Sequence, residues 1–239
     1  MLQSPLMRRI LLLLLLTTLL PAQSAPEVEV TAEPHHHQVF ANSQVRVFNV
    51  EVPAHANTVM HWHRHDYVYV MLGAAHVSNE IKGKAALDVK LVDGETNLLS
   101  APSAHFVRNL SDQPFRSVIV ELLQDDKLRH SSHPGSAHAD EDRGLEILHG
   151  GTEEILFVKN SVRLSEVDLQ PGGMVPMNNA RPHLLVALSA LKLRNHVKGK
   201  APSDVELKSG ETLWLKPADS HMLTNAAAQP AKWITLEFQ

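Results

Sequence analysis

An internal repeat is the feature that most constrains how this chain can fold. Residues 79–122 and 195–238 align without a gap at an offset of 116, and 17 of the 44 aligned positions are identical. The identities include a Lys-Gly-Lys-Ala turn at residues 82–85 and again at 198–201. Self-similarity over this length indicates a duplicated structural unit. We therefore predict two copies of one domain.

A polar segment separates the two copies. The upstream parts of the units correspond more loosely, so we place the first unit at residues 28–124 and the second at residues 145–239. Residues 125–144 between them are rich in Asp, Ser, His, Pro and Gly and have no hydrophobic period. This composition predicts a linker.

Both units have the hydrophobic pattern of short β-strands. In the first unit, apolar and polar residues alternate at residues 45–52, 67–71 and 117–122, with glycine-containing turns between such stretches. Alternation with period two is typical of strands with one buried face. No amphipathic helix is evident in either unit. We therefore predict an all-β fold of the sandwich or barrel type.

The first 24 residues have the order of a secretory signal peptide. Arg8 and Arg9 precede an apolar run at residues 10–20, and small residues follow up to a predicted cleavage site after Ser24. An apolar run of this length is too short to cross a bilayer comfortably. We expect a periplasmic or secreted protein with no stable membrane insertion after cleavage.

Composition and motif content exclude several classes of function. The net charge of −4 provides no basic surface, so we predict no nucleic-acid partner. The chain has no cysteine, which excludes disulfides and a thiol nucleophile. It also lacks a Gly-x-Ser-x-Gly elbow and a phosphate-binding glycine loop. Stability must come from the core, a bound metal or subunit contacts.

A histidine cluster in the first unit predicts a metal site. His61, His63 and His65 alternate, so on one strand their side chains would point to the same face. His105 follows 40 residues after His65 and could close the site from a distant strand. Imidazole suits iron, manganese, zinc, copper and nickel, so the pattern predicts a divalent transition metal without naming it.

These residues resemble the two sequence motifs of the cupin superfamily. The first motif looks like His-x-His followed by a glutamate and a glycine turn. The second is a spaced series of glycine, proline, histidine and asparagine, and its positions in the two units are Gly94, Ser100, Pro102, His105 and Asn109, then Gly210, Lys216, Ala218, His221 and Asn225. The resemblance implies a bicupin, with two tandem barrels of the small jelly-roll type.

The first motif departs from the family pattern, and two ligand registers remain open. The glutamate position falls at Tyr67, which leaves His61, His63 and His105 as ligands with His65 nearby. A shifted register would use His63, His65 and His105 instead. The spacing from His61 to Tyr67 favours the first. Three neutral ligands leave the charge of the ion uncompensated, which favours an anionic ligand or substrate.

The second unit has lost the first motif. Met177 and Asn179 stand at the positions of His61 and His63. Only His183 and His221 could still ligate an ion. We therefore predict that the second unit does not hold a metal firmly.

Two other groups of polar residues are interpreted as lacking a specific role. Residues 35–37 are three histidines in a polar stretch near the mature N-terminus, which predicts a flexible tail. Glu121 and Glu237 recur at equivalent positions of the repeat, and we interpret them as strand-end residues retained from the duplication.

Two functional hypotheses follow from the resemblance. The first is a metal-dependent enzyme, such as a dioxygenase, acting on a small organic molecule. The alternative is a non-catalytic barrel that binds a sugar or a small acid. The resemblance also implies pairing of two copies as a homodimer. Fold alone does not decide between catalysis and binding.

Overall fold

A computed structural model describes residues 26–124, 144–159, 162–178, 181–216 and 221–238. The predicted signal peptide and nearly all of the predicted linker lie outside the described residues, as does Asn179. The described elements are strands apart from one 3-10 turn at Val30–Ala32, which confirms the all-β prediction. In this part of the chain, no helix is long and apolar enough to span a membrane.

The first half of the chain forms two five-stranded sheets. Their orders are β1-β4-β9-β6-β7 and β2-β3-β10-β5-β8. The strands are β1 Val28–Glu29, β2 His36–Ala41, β3 Val45–Val52, β4 His61–His63, β5 Tyr67–Met71, β6 Ala75–Ile81, β7 Leu87–Leu91, β8 Thr96–Leu99, β9 Ser103–Asn109 and β10 Phe115–Leu122. Apolar side chains from both sheets share one buried cluster, which includes Val77 and Val107 from one sheet and Phe48 and Ile119 from the other. The two sheets therefore pack face to face around a common core.

The second half of the chain forms an eight-stranded sheet. The strands are β11 Gly144–Lys159, β12 Val162–Asn178, β13 His183–Ala187, β14 Leu191–Val197, β15 Ser203–Leu207, β16 Thr212–Leu215, β17 His221–Asn225 and β18 Ala231–Phe238. Their order is β15-β14-β17-β12-β18-β13-β16, with β11 paired to β12. The long strand β12 pairs with both β17 and β18 and so joins the two parts of this sheet.

Strand pairing repeats with the sequence. Tyr67 pairs with Glu121 across β5 and β10, and the residues 116 positions later, His183 and Glu237, pair across β13 and β18. The repeated turns also match. Gly83 and Gly199 both have φ of 79°, a left-handed conformation that glycine adopts without steric cost. The sequence repeat is therefore a repeat of backbone structure as well.

Strand β10 is buried on both faces because it lies between two cores. Ile119 points into the first-half cluster, whereas Val118 and Val120 point the opposite way, as strand alternation requires. The cluster that Val118 and Val120 join also contains Ile234 and Leu236 of β18. The two halves are thus packed together through an apolar contact between their sheets.

Candidate metal centre

Strand β4 directs two histidines into the interior of the first half. His61 and His63 are 0% and 1% exposed. Trp62 between them points the opposite way, where its indole N–H donates to Glu27. On the neighbouring strand β9, His105 pairs directly with His61. Alternation along β4 and pairing with β9 therefore bring His61, His63 and His105 together.

The three rings form a tight group with unpartnered nitrogens. The ring centroids lie 5.2 Å apart for His61 and His63, 4.6 Å for His61 and His105, and 5.3 Å for His63 and His105. The Nε2 atoms of all three are buried and have no hydrogen-bond partner among the described residues. A buried polar atom without a partner is costly and calls for an explanation. A metal ion bound by the three Nε2 atoms satisfies them all.

Hydrogen bonds on the other ring nitrogen orient two of these Nε2 atoms, those of His61 and His105. The Nδ1 of His61 lies 2.8 Å from the carbonyl oxygen of Val59, and the Nδ1 of His105 lies 2.9 Å from Asn79 Oδ1. Both oxygens are acceptors, so each Nδ1 donates and leaves the lone pair on Nε2. Histidine ligands of metals usually have such an outer partner.

Burial keeps these imidazoles neutral, which is the form that binds metal. Burial lowers the pKa of His61 to about 3 and holds the pKa of His105 well below its ordinary range. Burial also lowers the pKa of His63, although nearby Glu121 acts in the opposite direction. All three are therefore available as ligands at neutral pH.

The structure corrects the predicted role of the N-terminal histidines. His36 was expected in a flexible tail, but it begins strand β2 and is only 9% exposed. Its ring lies 4.7 Å from that of His61, and the ligand atoms of His36, His61 and His63 all lie within 4.8 Å of one another. His35, His37 and His105 do not belong to that group. The sequence pattern missed His36 because it lies far from the other histidines along the chain.

His65 differs from the expected strand position. Strand β4 ends at His63, so His65 lies in the loop before β5, where it is half-buried. The alternation that would place it beside His61 and His63 therefore does not extend to it. Its role as a ligand stays a prediction.

Tyr67 lies against the histidine cluster at the position that the resemblance gives to a glutamate. It is 3% exposed, and its ring stacks on His63 at 3.9 Å between centroids. Burial raises the pKa of Tyr67 well above its ordinary range, so its hydroxyl stays protonated at neutral pH. Tyr67 fixes the ring plane of His63 rather than supplying a carboxylate.

Two buried carboxylates lie behind the histidines. Glu121, interpreted above as a strand-end residue, is 1% exposed, and its Oε1 lies 3.6 Å from the Nδ1 of His63. Glu33 is 2% exposed and lies 2.6 Å from the Nδ1 of His36. Burial would raise the pKa of Glu33, but hydrogen bonds from His36, His35 and Val59 outweigh burial and lower it. Glu121 is also paired with Arg46 at 3.2 Å, so Glu33 is the carboxylate that places negative charge close to the site without any external anion.

The repeat contained a signal for one of the outer partners. Asn79 is identical to Asn195, and its side chain accepts from His105 in the first half. In the second half the Oδ1 of Asn195 is buried without a hydrogen-bond partner among the described residues. The identity of Asn79 and Asn195 is therefore a sequence signal from which a role for Asn79 could have been predicted. No such signal existed for Glu33, which lies outside the aligned segments.

The second half contains a small cavity with a histidine pair. The Nε2 atoms of His183 and His221 lie 3.2 Å apart. They line a cavity of about 40 Å³ together with Glu153, Arg163 and Glu237. Within the described residues, no group of three ligand side chains in this half has its atoms within 4.8 Å of one another. Within the described residues, such a group occurs in the first half alone, as His36, His61 and His63.

Comparisons with known proteins identify the fold. No family model matches the chain, and no curated protein matches it. Solved structures do match, including the formate complex of oxalate decarboxylase from Lactobacillus farciminis, with 14% identity and a TM-score of 0.59, over 83% of this chain and 78% of that one. AerE from Microcystis aeruginosa matches with 13% identity and a TM-score of 0.58, over 87% and 98%.

Oxalate decarboxylase from Bacillus subtilis is also similar, in a structure concerned with its Mn(II) centres. The identity is 13% and the TM-score 0.59, over 83% of this chain and 70% of that one. At this level of identity the likeness shows the fold alone. The shared fold is consistent with a jelly roll of the cupin type.

Proposed function

We propose that this protein binds a divalent transition metal in the first of two tandem cupin barrels, through His61, His63 and His105. The observation that carries the proposal is the set of three buried Nε2 atoms without a hydrogen-bond partner in the described structure. Burial keeps the three imidazoles neutral, and hydrogen bonds from Nδ1 orient two of them. Each of these features favours ligation.

The ligand set narrows the metal to a class. Imidazole nitrogens suit iron, manganese, zinc, copper and nickel, whereas calcium and magnesium prefer oxygen ligands. A bound ion of this class supplies a Lewis acid with coordination positions for a small molecule. Within that class, the metal that is bound depends on which ion is available to the protein.

We further propose an exported enzyme that uses the ion to transform a small organic molecule. The pattern of residues 1–24 supports export. The oxalate decarboxylases of the same fold act on a small organic acid, which supports the substrate class. The alternative is a barrel that binds such a molecule without turnover. Metal-dependent consumption of a candidate acid supports the enzyme, and saturable binding without consumption supports the alternative.

Metal analysis of matched variants tests the proposal. We expect the purified full-length chain to carry about one transition-metal ion per molecule. The variant His61→Ala/His105→Ala should lose the ion, because two of the three ligands are gone. The control His183→Ala/His221→Ala removes the buried histidine pair of the second half. This variant should retain the metal ion.

The outcomes separate the halves. A wild-type protein that takes up no stoichiometric metal after loading with each ion of the class contradicts the proposal. If His183→Ala/His221→Ala loses the metal and His61→Ala/His105→Ala retains it, the ion is bound in the second half and the proposal is wrong.

A further inference from the structure

The buried carboxylate of Glu33 lies at the centre of a hydrogen-bond network in the N-terminal segment. One oxygen accepts from the backbone N–H of His35 at 2.8 Å and lies 2.6 Å from the Nδ1 of His36. The other accepts from the backbone N–H of Val59 at 3.2 Å. Glu33 itself follows the 3-10 turn, and its backbone N–H donates to the carbonyl of Val30. Its side chain is therefore held in place from several directions.

This network reaches two histidines of the metal centre. Glu33 contacts His36 directly, and the same residue, Val59, that donates to Glu33 accepts a hydrogen bond from the Nδ1 of His61. A carboxylate that accepts from Nδ1 fixes the imidazole tautomer with the lone pair on Nε2 and increases its basicity. The lone pair on the Nε2 of His36 is thereby left available for a metal ion.

The position of His36 suits a fourth ligand. Its ligand atom lies within 4.8 Å of those of His61 and His63. Its ring lies 6.1 Å from that of His63 and packs edge-on against Phe48. It enters from strand β2, in the sheet opposite the one that contains β4 and β9. A ligand from that sheet would hold the ion between the two sheets.

We infer that His36 is a fourth ligand of the metal centre and that Glu33 is its positioning residue, which also supplies a buried negative charge to the cation. This inference rests on the proposed metal function. It revises the expectation that the ion would need an external anion, because the carboxylate of Glu33 contacts the Nδ1 of the same imidazole whose Nε2 faces the ion. The N-terminal segment then forms part of the metal site.

Matched variants of the full-length chain test the two roles with Co²⁺ as the probe. We expect His36→Ala to weaken Co²⁺ binding by about 100-fold or more and to change the visible absorption of the bound Co²⁺, since one nitrogen donor is lost. Glu33→Gln should weaken binding by about 10- to 100-fold. The controls are His37→Ala and Glu29→Gln, which alter exposed residues of the same segment and should bind as the wild type does.

The double variant His36→Ala/Glu33→Gln tests whether Glu33 acts through His36. If it does, the double variant binds Co²⁺ about as weakly as His36→Ala alone. Losses that multiply would overturn the positioning role. Wild-type affinity and an unchanged Co²⁺ spectrum in His36→Ala would overturn the fourth ligand but leave the proposed function standing. A wild type that binds no Co²⁺ or other ion of the class would overturn both.

A measurement on the wild type keeps the inference testable if Glu33→Gln does not fold. In ¹⁵N-histidine NMR of the metal-free protein, we expect His36 as the Nδ1–H tautomer, with the proton shifted downfield by the short bond to Glu33. Observation of His36 as the Nε2–H tautomer would contradict the role given to Glu33.

Discussion

Position 67 is one of those at which the two histidine groups differ. Tyr67 in the first half stacks on His63 and leaves the Nε2 of that histidine without a partner in the described structure. Its counterpart in the second half, His183, lies 3.2 Å from the Nε2 of His221. The Nδ1 of His183 donates to the carbonyl of Arg181, so its Nε2 accepts from His221. In the second half the two Nε2 atoms are hydrogen-bond partners of each other, whereas those of the first-half cluster have no partner among the described residues.

Acid should destabilise the protein partly through His183. Burial lowers the pKa of His183 below its ordinary 6.5, so between the two values the unfolded chain binds more protons than the folded one. The stabilising contribution is therefore complete above pH 6.5 and decreases as the pH falls below it. We expect His183→Gln to show a smaller loss of unfolding free energy between pH 7.5 and pH 5.0 than the wild type, measured by urea denaturation.

The comparison isolates His183 because both proteins retain the buried histidines of the first half. Metal-free protein is used for both, so that loss of an ion in acid does not contribute. An identical loss of stability in the variant and the wild type would show that His183 remains neutral in the unfolded chain or is protonated in both states.

At the scale of strands, an asparagine that recurs in the repeat connects neighbouring backbone segments in each half. The amide of Asn109 donates to the carbonyls of Val52 and Gln113, and its oxygen accepts from the backbone N–H of Ser111. Asn225 makes the equivalent bonds in the second half. The side chain thus ties the end of β9 to β3 and to the turn before β10. The identity of these residues in the repeat has a structural cause.

Removal of this amide should cost more than an ordinary surface change. Asn109→Ala leaves three carbonyls, those of Val52, Pro53 and Gln113, and one N–H without the bond that the buried Asn109 makes, so we expect the free energy of unfolding to fall by about 3 kcal/mol. The control Asn97→Ala alters an exposed asparagine and should change it by less than about 0.5 kcal/mol. Urea denaturation measures both. Similar small losses would mean that water replaces the amide of Asn109.

Strand alternation was predictable, but the end of strand β4 was not. The period of two placed His61 and His63 on one face, as the structure has them. It also extended to His65, which lies in a loop instead. In that loop the buried side chain of Asp66 accepts from the backbone N–H of Ala101 at 2.7 Å. That contact joins residues 35 positions apart, and no local pattern reports it.

On the scale of the whole molecule, the two halves share one buried apolar cluster. Val118 and Val120 of β10 and Ile234 and Leu236 of β18 are all fully buried in one cluster. These are equivalent strands of the repeat. Strands at equivalent positions of the repeat therefore each cover the apolar face of the other.

Truncation of one side chain in this contact should destabilise the whole chain. Leu236 is 0% exposed, so we expect Leu236→Ala to lower the free energy of unfolding by about 2–5 kcal/mol through lost contacts and the cavity left behind. Leu145 is 64% exposed, and Leu145→Ala should change it by less than about 0.5 kcal/mol. Circular dichroism during urea denaturation measures both. Equal effects of the two variants would show that the halves are not packed together in solution.

The sequence by itself determined the features that depend on local spacing. Strand period, the duplicated turns and the shared face of His61 and His63 follow from residues that are near each other in the chain. Only the tertiary structure decided that His36, Glu33 and Glu121 surround those histidines. The sheet that contains β2 and β10 packs against the sheet that contains β4, and this packing joins residues from separate segments. The polar composition around His36 predicted a mobile tail. The strands that bury His36 lie further along the sequence, so the local composition does not report them.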